Sequence, residues 1–269
     1  MSIHPTAVVH ASSDLGKDVE IGPYSIVEAH VRIGERCKLG PHVHICENTL
    51  LGKDCVVHHG AVIGGIPQDQ KFKGEETYTL IGDRNVIREY VTINRGTAGG
   101  GGRTVIGNDN LIMCYVHVAH DCQLANHIIV SAYAGLAGHI VVEDRAVIAG
   151  MVGIHHFCHI GSMSYIGGMS KVTQDIPPYI MADGIPCRFR GLNLVGLRRR
   201  KLDPGAIAAL KETYRVLFMN KVGNLSETLE KFKGSEEYSF PEVRQLVNFI
   251  EERALNAQGR FLENAREGG

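Results

Sequence analysis

The sequence predicts a mainly β protein in which a parallel β-helix of six-residue repeats is followed by a small α-helical domain. Three observations indicate this fold class. An aliphatic residue recurs at nearly every sixth position between Ile3 and Val172. Glycine often follows this aliphatic residue, and a small residue often stands four positions after it. From Asp203 onward, the apolar residues follow a helical spacing instead. A fixed short period indicates stacked repeats, each of which buries its apolar face against its neighbours.

The six-residue unit has room for one short strand and one corner. Three units would close a triangular coil of 18 residues, and successive coils would lie roughly 4.8 Å apart. We expect the repeated aliphatic residue, called the core aliphatic below, to point inward together with the small residue four positions later. We expect the glycine after the core aliphatic to let the chain turn the corner. In the uninterrupted second half the core aliphatics are Ile106, Ile112, Val118, Leu124, Val130, Leu136, Val142, Ile148, Ile154, Ile160, Ile166 and Val172.

The repeat is interrupted twice. Residues 64–80 and 95–104 depart from the six-residue spacing, and the second of these segments contains four consecutive glycines. We expect both to be extruded loops, which often carry function when they project from a rigid scaffold.

The chain beyond the repeat predicts a second domain. We place a β-helix domain at residues 1–190 and a helical domain at residues 191–269, and we expect residues 179–202 to be irregular and basic. Asp203 followed by Pro204 predicts the start of a helix. Further helices are expected at about residues 226–233 and from Pro241 onward. Such helices would cover the open end of the coil stack, where a strand edge would otherwise be exposed.

Composition argues against several function classes. The 269 residues carry a formal net charge of −1, which argues against general binding of nucleic acid. The apolar runs are far shorter than the roughly 20 residues of a membrane span, so no stable membrane insertion is expected. No basic segment followed by an apolar one marks a secretory signal, and we expect a cytoplasmic protein whose seven cysteines are reduced. Four of them stand at the small inward position, where we expect core packing: Cys37, Cys55, Cys122 and Cys158.

Polar residues of the second half converge when the sequence is counted in steps of 18. His120, Gly138 and His156 are 18 residues apart and should form one column on three successive coils. Asp121 and His139 have the same spacing and should be neighbours in the next column. Two more histidines lie close to these columns in sequence: His117 and His155. The whole patch would lie within two coil heights, roughly 10 Å.

This patch has the groups needed for acyl transfer to a hydroxyl. Imidazole, with an unperturbed pKa of about 6.5, abstracts protons efficiently at neutral pH. A neighbouring carboxylate such as Asp121 would fix its tautomer and stabilise the imidazolium. The backbone N–H of Gly138, one coil away, would face a developing oxyanion. No Ser or Cys nucleophile has comparable support, so we expect direct transfer to a hydroxyl that His120 activates.

Specific segments resemble the UDP-N-acetylglucosamine O-acyltransferase family over nearly the whole chain. They are residues 68–72, 81–85, 95–97, 111–122, 136–139, 154–158 and 191–200. The resemblance implies a left-handed β-helix and a homotrimer with active sites between adjacent chains. It also implies transfer of a 3-hydroxyacyl group from acyl carrier protein to the glucosamine 3-hydroxyl of UDP-N-acetylglucosamine, the first step of lipid A biosynthesis. No metal and no cofactor are implied beyond the phosphopantetheine that the carrier bears.

The resemblance also implies individual roles. His120 would be the general base, Asp121 its orienting partner and the Gly138 amide the oxyanion donor. Residues expected to hold the sugar, the reacting groups or the acyl donor are Asp69, Lys71, His117, His139, His155 and His156. Residues expected to contact the nucleotide or the phosphopantetheine are Asn193, Arg199 and Arg200. Gly168 matches the residue that sets acyl length and implies room for a longer chain than Met would leave. His156 stands where the family usually has Gln.

The residues leave three alternatives open. The acceptor could be a UDP-sugar with a 3-amino group. A γ-type carbonic anhydrase would need three histidines on zinc, generally two of them five residues apart, but the residue five after His117 is Cys122. A non-catalytic hexapeptide-repeat scaffold would explain the core aliphatics but not the polar columns. A basic stretch suits the acidic surface of acyl carrier protein; its residues are Arg188, Arg190, Arg198, Arg199, Arg200 and Lys201.

Overall fold

A computed structural model describes residues 1–219 and 225–255. Its strands form three long sheets, called walls A, B and C below, which the chain visits in turn. All pairings of the described strands are parallel except that of the last strand of wall A. The predicted fold class, a left-handed parallel β-helix with a C-terminal α-helical part, is confirmed.

Each wall is a stack of short strands. Wall A contains β1 (Ser2–Ile3), β4 (Glu20–Ile21), β7 (Lys38–Leu39), β10 (Val56–Val57), β13 (Val86–Ile87), β16 (Leu111–Ile112), β19 (Ile129–Val130), β22 (Val147–Ile148), β25 (Tyr165–Ile166), β27 (Ile180–Asp183) and β28 (Arg188–Leu192). Wall B contains β2 (Val8–Val9), β5 (Ile26–Val27), β8 (His44–Ile45), β11 (Val62–Gly65), β14 (Thr92–Asn94), β17 (His117–Val118), β20 (Gly135–Leu136), β23 (Gly153–Ile154) and β26 (Lys171–Val172). Wall C contains β3 (Asp14–Leu15), β6 (Arg32–Ile33), β9 (Thr49–Leu51), β12 (Tyr78–Ile81), β15 (Arg103–Ile106), β18 (Gln123–Leu124), β21 (Val141–Val142) and β24 (His159–Ile160).

The register follows the 18-residue coil wherever the repeat is intact. On wall A, Ile3 pairs with Ile21, and on wall B, Val118 pairs with Leu136. The two interruptions lengthen individual coils, so that Val62 pairs with Thr92 and Thr92 with His117. The first loop joins β11 to β12. The second joins β14 to β15 and contains a short 3₁₀ turn, Ala98–Gly100.

The core aliphatics fill the interior of the β-helix. From the second coil onward they are buried, and many of them are fully enclosed, among them Ile45, Ile63, Ile112 and Leu136. The four cysteines predicted to be core residues have no exposed surface. Burial raises the pKa of the Cys122 thiol to about 12, so this cysteine packs as a small apolar residue.

The expectation that glycine makes the corners was wrong. The left-handed conformation falls on the third residue after the core aliphatic, which is rarely glycine: Asp18, Tyr24, His30 and Arg36 have φ values of 56–58°. The glycines after the core aliphatics serve close stacking instead. A Cβ on Gly34 would lie 2.6 Å from the carbonyl carbon of Gly52 on the next coil. Any side chain would therefore push the coils apart at this point.

The region expected to be irregular, residues 179–202, is ordered, and that expectation was also wrong. Strand β27 joins wall A beside β25, pairing Met181 with Tyr165, and β28 returns antiparallel to it. A short helix, α1 (Leu194–Arg199), follows, with Asn193 as its N-cap. The six-residue spacing is lost here, which is why the sequence pattern does not reveal these elements.

The remaining helices lie over the end of the β-helix. They are α2 (Pro204–Tyr214), a π-helical turn (Arg215–Met219), α3 (Leu225–Lys233), a 3₁₀ turn (Glu236–Ser239) and α4 (Pro241–Leu255). Asp203 caps α2 by accepting a hydrogen bond from the Ala206 N–H. Leu210 of α2 and Leu246 of α4 are fully buried in one cluster with Tyr179. No helix in the described ranges is long and apolar enough to cross a membrane. The end of the predicted 191–269 domain, residues 256–269, lies outside the described residues.

Candidate active site

The predicted column of His120, Gly138 and His156 lies along one edge of wall B. Strands β17, β20 and β23 stack in register there. The His139 N–H donates to the His120 carbonyl over 3.0 Å, and the Phe157 N–H donates to the Gly138 carbonyl over 3.2 Å. An ideal Cβ on Gly138 would lie 2.9 Å from His120 Nε2. The imidazole can therefore lie against the next coil only because residue 138 has no side chain.

His120 and Asp121 form a buried pair. His120 Nδ1 lies 2.7 Å from Asp121 Oδ2, and the residues are 6% and 3% exposed. His139 Nε2 lies 3.6 Å from the same oxygen, and its ring stands almost perpendicular to that of His120, with centroids 5.1 Å apart. With Nδ1 on the carboxylate, Nε2 is the His120 nitrogen that is left for a substrate.

The carboxylate of Asp121 receives further donors from the glycine-rich loop. The Thr97 N–H donates to Oδ1 over 2.8 Å, and the Thr97 hydroxyl donates to Oδ2 over 2.7 Å. Burial alone would raise the pKa of Asp121, but hydrogen bonds from His120 and Thr97 and the nearby His139 outweigh it and lower the pKa below the ordinary value. Asp121 is therefore a carboxylate at neutral pH and can stabilise an imidazolium.

His117 lies one turn before this pair and has a different environment. Its Nδ1 lies 2.8 Å from the Thr92 hydroxyl on the preceding coil. Burial lowers its pKa, and the neighbouring His120 lowers it further. His117 is therefore a neutral imidazole at neutral pH, suited to hydrogen bonding rather than to holding a charge.

A cleft of about 540 Å³ runs over wall B in front of these groups. His117, His120, His155 and His156 line it, and the rings of the last two meet edge to face at 5.4 Å. Three lining residues with polar side chains were not predicted as site residues: Gln68, Lys171 and Thr173. Counting by 18 would have found Lys171, which stands three coils after His117 in the same column.

The first extruded loop reaches this cleft through Gln68. The predicted substrate residues Asp69 and Lys71 follow it but do not line the cleft. Asp69 Oδ1 accepts a hydrogen bond of 2.9 Å from the Lys71 N–H, and the Lys71 side chain is exposed. The carboxylate of Asp69 thus holds the loop in a tight turn beside the cleft.

The predicted nucleotide residues lie elsewhere in the chain. Asn193, Arg199 and Arg200 line a second cleft of about 640 Å³ on wall A, together with Arg145 and Met163. Asn193 is engaged on both sides, because its Oδ1 accepts from the Gly196 N–H and its Nδ2 donates to the Met163 carbonyl. Within one chain the structure does not bring these residues to His120.

Gly168 stands at the corner between β25 of wall A and β26 of wall B. An ideal Cβ there would lie 3.3 Å from the Gly150 carbonyl oxygen. Its neighbour Met169 is 66% exposed. A longer side chain at residue 168 would project from this corner.

Two groups of described residues place possible metal ligands close together. One is His120, Asp121 and His139, and the other is Glu28, His44 and Cys46. In each group the ligand atoms lie within 4.8 Å of one another. Neither group has the three histidines of a γ-type carbonic anhydrase, and in the first the Asp121 oxygens already accept the hydrogen bonds described above.

Comparison with known families gives matches along most of the chain. A family model described as "Udp N-acetylglucosamine O-acyltransferase; Domain 2" matches residues 175–259. A model of the bacterial transferase hexapeptide matches residues 30–65 and 103–138. Among curated proteins, an acyl-[acyl-carrier-protein]--UDP-N-acetylglucosamine O-acyltransferase from Paraburkholderia phymatum is 45% identical over 252 residues, 93% of this chain and 96% of that one. The protein of the same name from Paraburkholderia xenovorans is 51% identical over 218 residues, 81% of this chain and 83% of that one.

Solved structures agree with these matches. A UDP-N-acetylglucosamine acyltransferase from Bacteroides fragilis superposes with a TM-score of 0.89 at 41% identity, covering 93% of this chain and 96% of that one. The enzyme of that name from Francisella novicida superposes with a TM-score of 0.88 at 37% identity, covering 93% and 91%. From its sequence, its coil architecture and its C-terminal helices, the chain belongs to the UDP-N-acetylglucosamine O-acyltransferase family.

Proposed function

We propose that this chain transfers a 3-hydroxyacyl group from acyl carrier protein to the 3-hydroxyl of UDP-N-acetylglucosamine, with His120 as general base. The names of the curated relatives supply the donor and the acceptor. The observation that carries the chemistry is the buried His120–Asp121 pair, whose free nitrogen lies against Gly138 in an open cleft.

The transfer proceeds in two steps, formation of a tetrahedral intermediate and its collapse. His120 Nε2 takes the proton of the sugar hydroxyl as that oxygen attacks the thioester carbonyl, and Asp121 stabilises the imidazolium that forms. The tetrahedral intermediate then collapses, the carbon–sulfur bond breaks, and the imidazolium protonates the phosphopantetheine thiolate. The enzyme is returned to its starting state with the ester and the free thiol as products.

The Gly138 amide suits the oxyanion of that intermediate. Its N–H donates to no acceptor among the described residues. On an earlier coil of the same wall the equivalent amide, that of Glu47, donates to the Glu28 carboxylate over 2.8 Å. An uncommitted donor beside the base gives the preorganised stabilisation that acyl transfer requires.

We infer that the second half of the site comes from a neighbouring copy in a homotrimer. The corner between walls A and B carries exposed aromatic rings stacked about 5 Å apart, including Tyr90, Tyr115 and Tyr133. These three residues are 43–56% exposed, and contiguous exposed aromatic rings are typical of surfaces that associate. A threefold axis along this corner would set wall A of one copy, with Arg199, against wall B of the next, with His120.

Mixed trimers test this arrangement. His120→Ala removes the wall B half and Arg199→Glu removes the wall A half, and we expect each homotrimer to be nearly inactive. If the site joins two chains, trimers reassembled from both variants regain a fraction of wild-type activity. Mixtures that stay inactive although mass spectrometry shows mixed trimers would contradict the arrangement.

The basic stretch near α1 is proposed to dock acyl carrier protein. Its side chains are exposed, although Arg190 is paired with Asp183. Charge complementarity of this kind acts mainly on association and is screened by salt. We expect Arg198→Glu with Lys201→Glu to raise KM for the acyl carrier at low salt and to have less effect at high salt. A salt-independent KM would contradict the docking role.

Product analysis tests the function itself. The enzyme is offered a mixed pool of 3-hydroxyacyl carriers with UDP-N-acetylglucosamine and its 3-amino analogue, and the products are identified by mass spectrometry. We expect an O-acylated UDP-N-acetylglucosamine of one preferred chain length, with none formed by His120→Ala. A product only from the amino sugar would change the acceptor, and no acyl transfer to either sugar would contradict the proposal.

A further inference from the structure

The glycine-rich loop between β14 and β15 folds over the His120–Asp121 pair and contacts the carboxylate. The loop reaches Asp121 through Thr97, which is 6% exposed. Thr97 supplies two donors to one carboxylate, from its N–H and its hydroxyl. With His120 Nδ1 as the third donor, Asp121 is held from the side of the base and from the side of the loop.

The loop itself is held in shape by short-range hydrogen bonds. The N–H groups of Gly100 and Gly102 donate to the Thr97 carbonyl over 3.0 and 2.8 Å. The Ala98 N–H donates to Glu75 Oε1 over 3.2 Å, which ties the two extruded loops together. Thr97 is therefore presented to Asp121 by a folded turn rather than by a free segment.

Gly100 closes the other side of the carboxylate. An ideal Cβ at this residue would overlap the Asp121 carboxylate carbon and both of its oxygens. Gly99 in the same turn has no atom within 4 Å of its ideal Cβ. Neither residue has a positive φ, so alanine would not strain the backbone at either position. The requirement for glycine at residue 100 thus comes from its contact with Asp121.

We propose that Thr97 and Gly100 are positioning residues that fix the Asp121 carboxylate, and through it the tautomer and orientation of His120. Neither residue lines the cleft in front of His120, so neither is assigned a contact with substrate. The inference rests on the proposed function, because it matters only if His120 acts as the base. Loss of the contacts that Thr97 and Gly100 make with Asp121 should lower kcat while substrate affinity stays the same.

Four variants test the proposal. Thr97→Val keeps shape and the backbone donor but removes the hydroxyl, and kcat should fall about tenfold, the lower end of the loss seen when a hydrogen-bond partner that orients a metal-binding side chain is removed. Thr97→Ser restores the hydroxyl and should return kcat to within about threefold of wild type, since hydroxyl donors of the two residues are equivalent. Gly100→Ala displaces the carboxylate, and a shift of about 1 Å should cost about 100-fold in kcat. Gly99→Ala, the matched control, should retain wild-type kcat.

The kinetics are measured with acyl carrier and UDP-N-acetylglucosamine on variants whose trimer and thermal midpoint match those of wild type. KM for the sugar should stay within about twofold in all four variants, because none of them changes a group that binds the sugar in the ground state. Wild-type kcat in Thr97→Val, equal losses in Gly99→Ala and Gly100→Ala, or an effect on KM alone would each overturn the proposal. His120→Ala is measured alongside. An active His120→Ala would refute the proposed role of His120 as base. An inactive His120→Ala with a normal Thr97→Val would refute only the positioning role of Thr97 and Gly100.

Discussion

Replacing Gly138 by alanine is a sharp test of how the base is placed. The added Cβ would lie 2.6 Å from His120 Cε1 and 2.9 Å from Nε2. Carbon atoms in favourable contact are about 3.5–4.0 Å apart, so the imidazole must move by about 1 Å. Its Nδ1 bond to Asp121 is 2.7 Å long and would be lengthened or bent by that movement. The change keeps the residue 138 N–H, so the proposed oxyanion donor is retained.

A misplacement of about 1 Å in a catalytic group costs roughly 100-fold in rate, which corresponds to about 2.7 kcal/mol in the barrier. We therefore expect Gly138→Ala to lower kcat by about 100-fold with little change in KM. The assay is steady-state acyl transfer by a variant that retains its trimer and its unfolding midpoint. Gly99→Ala, with open space around its Cβ, controls for the loss of a glycine. Wild-type kcat in Gly138→Ala would show that His120 need not lie against this coil.

Three further predictions concern the pair, the chain length and a buried thiol. Because the pKa of Asp121 is lowered in the folded state, its contribution to stability should be complete above the unfolded value of about 3.9 and be lost as pH falls through the lower folded value. Urea midpoints of wild type and Asp121→Asn should therefore differ at about pH 5 to 7 and converge in stronger acid. A difference that vanishes already at pH 6 would contradict this. Gly168→Met should shift the product toward shorter acyl chains in mass spectra of a mixed pool, and an unchanged distribution would remove the role that the resemblance gives this corner. Cys122, whose pKa burial raises to about 12, should resist a thiol reagent in the native protein at pH 8 and react on unfolding, so prompt native labelling would contradict its burial.

The columns of the candidate site could be predicted from sequence because the coil length is fixed. A constant step of 18 residues places His120 under Gly138 and Asp121 beside His139 without any knowledge of side-chain contacts. The same step also contains Lys171, which the prediction overlooked because the column that begins at His117 was not followed to later coils.

The remainder depends on contacts that the repeat does not encode. The step of 18 is lost in the two inserted loops, so the position of Thr97 over Asp121 could not be derived by counting. The glycines after the core aliphatics were assigned to the corners because glycine tolerates positive φ, yet Gly34 is required by the closeness of the next coil. The strands β27 and β28 follow no six-residue spacing, and their antiparallel pairing came from the structure alone. The resemblance already implied active sites between adjacent chains, but only the structure places Asn193, Arg199 and Arg200 on wall A and His120 on wall B.

His120 is proposed to remove the proton of the sugar hydroxyl with its imidazole. Single-turnover acyl transfer by His120→Ala, with trimer assembly and UDP-sugar binding verified on the same sample, tests it most directly. Loss of a positioned general base costs about 10²–10⁴-fold in rate, and we expect a loss within that range because no other imidazole in the described part of the chain holds the position of His120 against Gly138. A single-turnover rate within a few-fold of wild type would contradict the account.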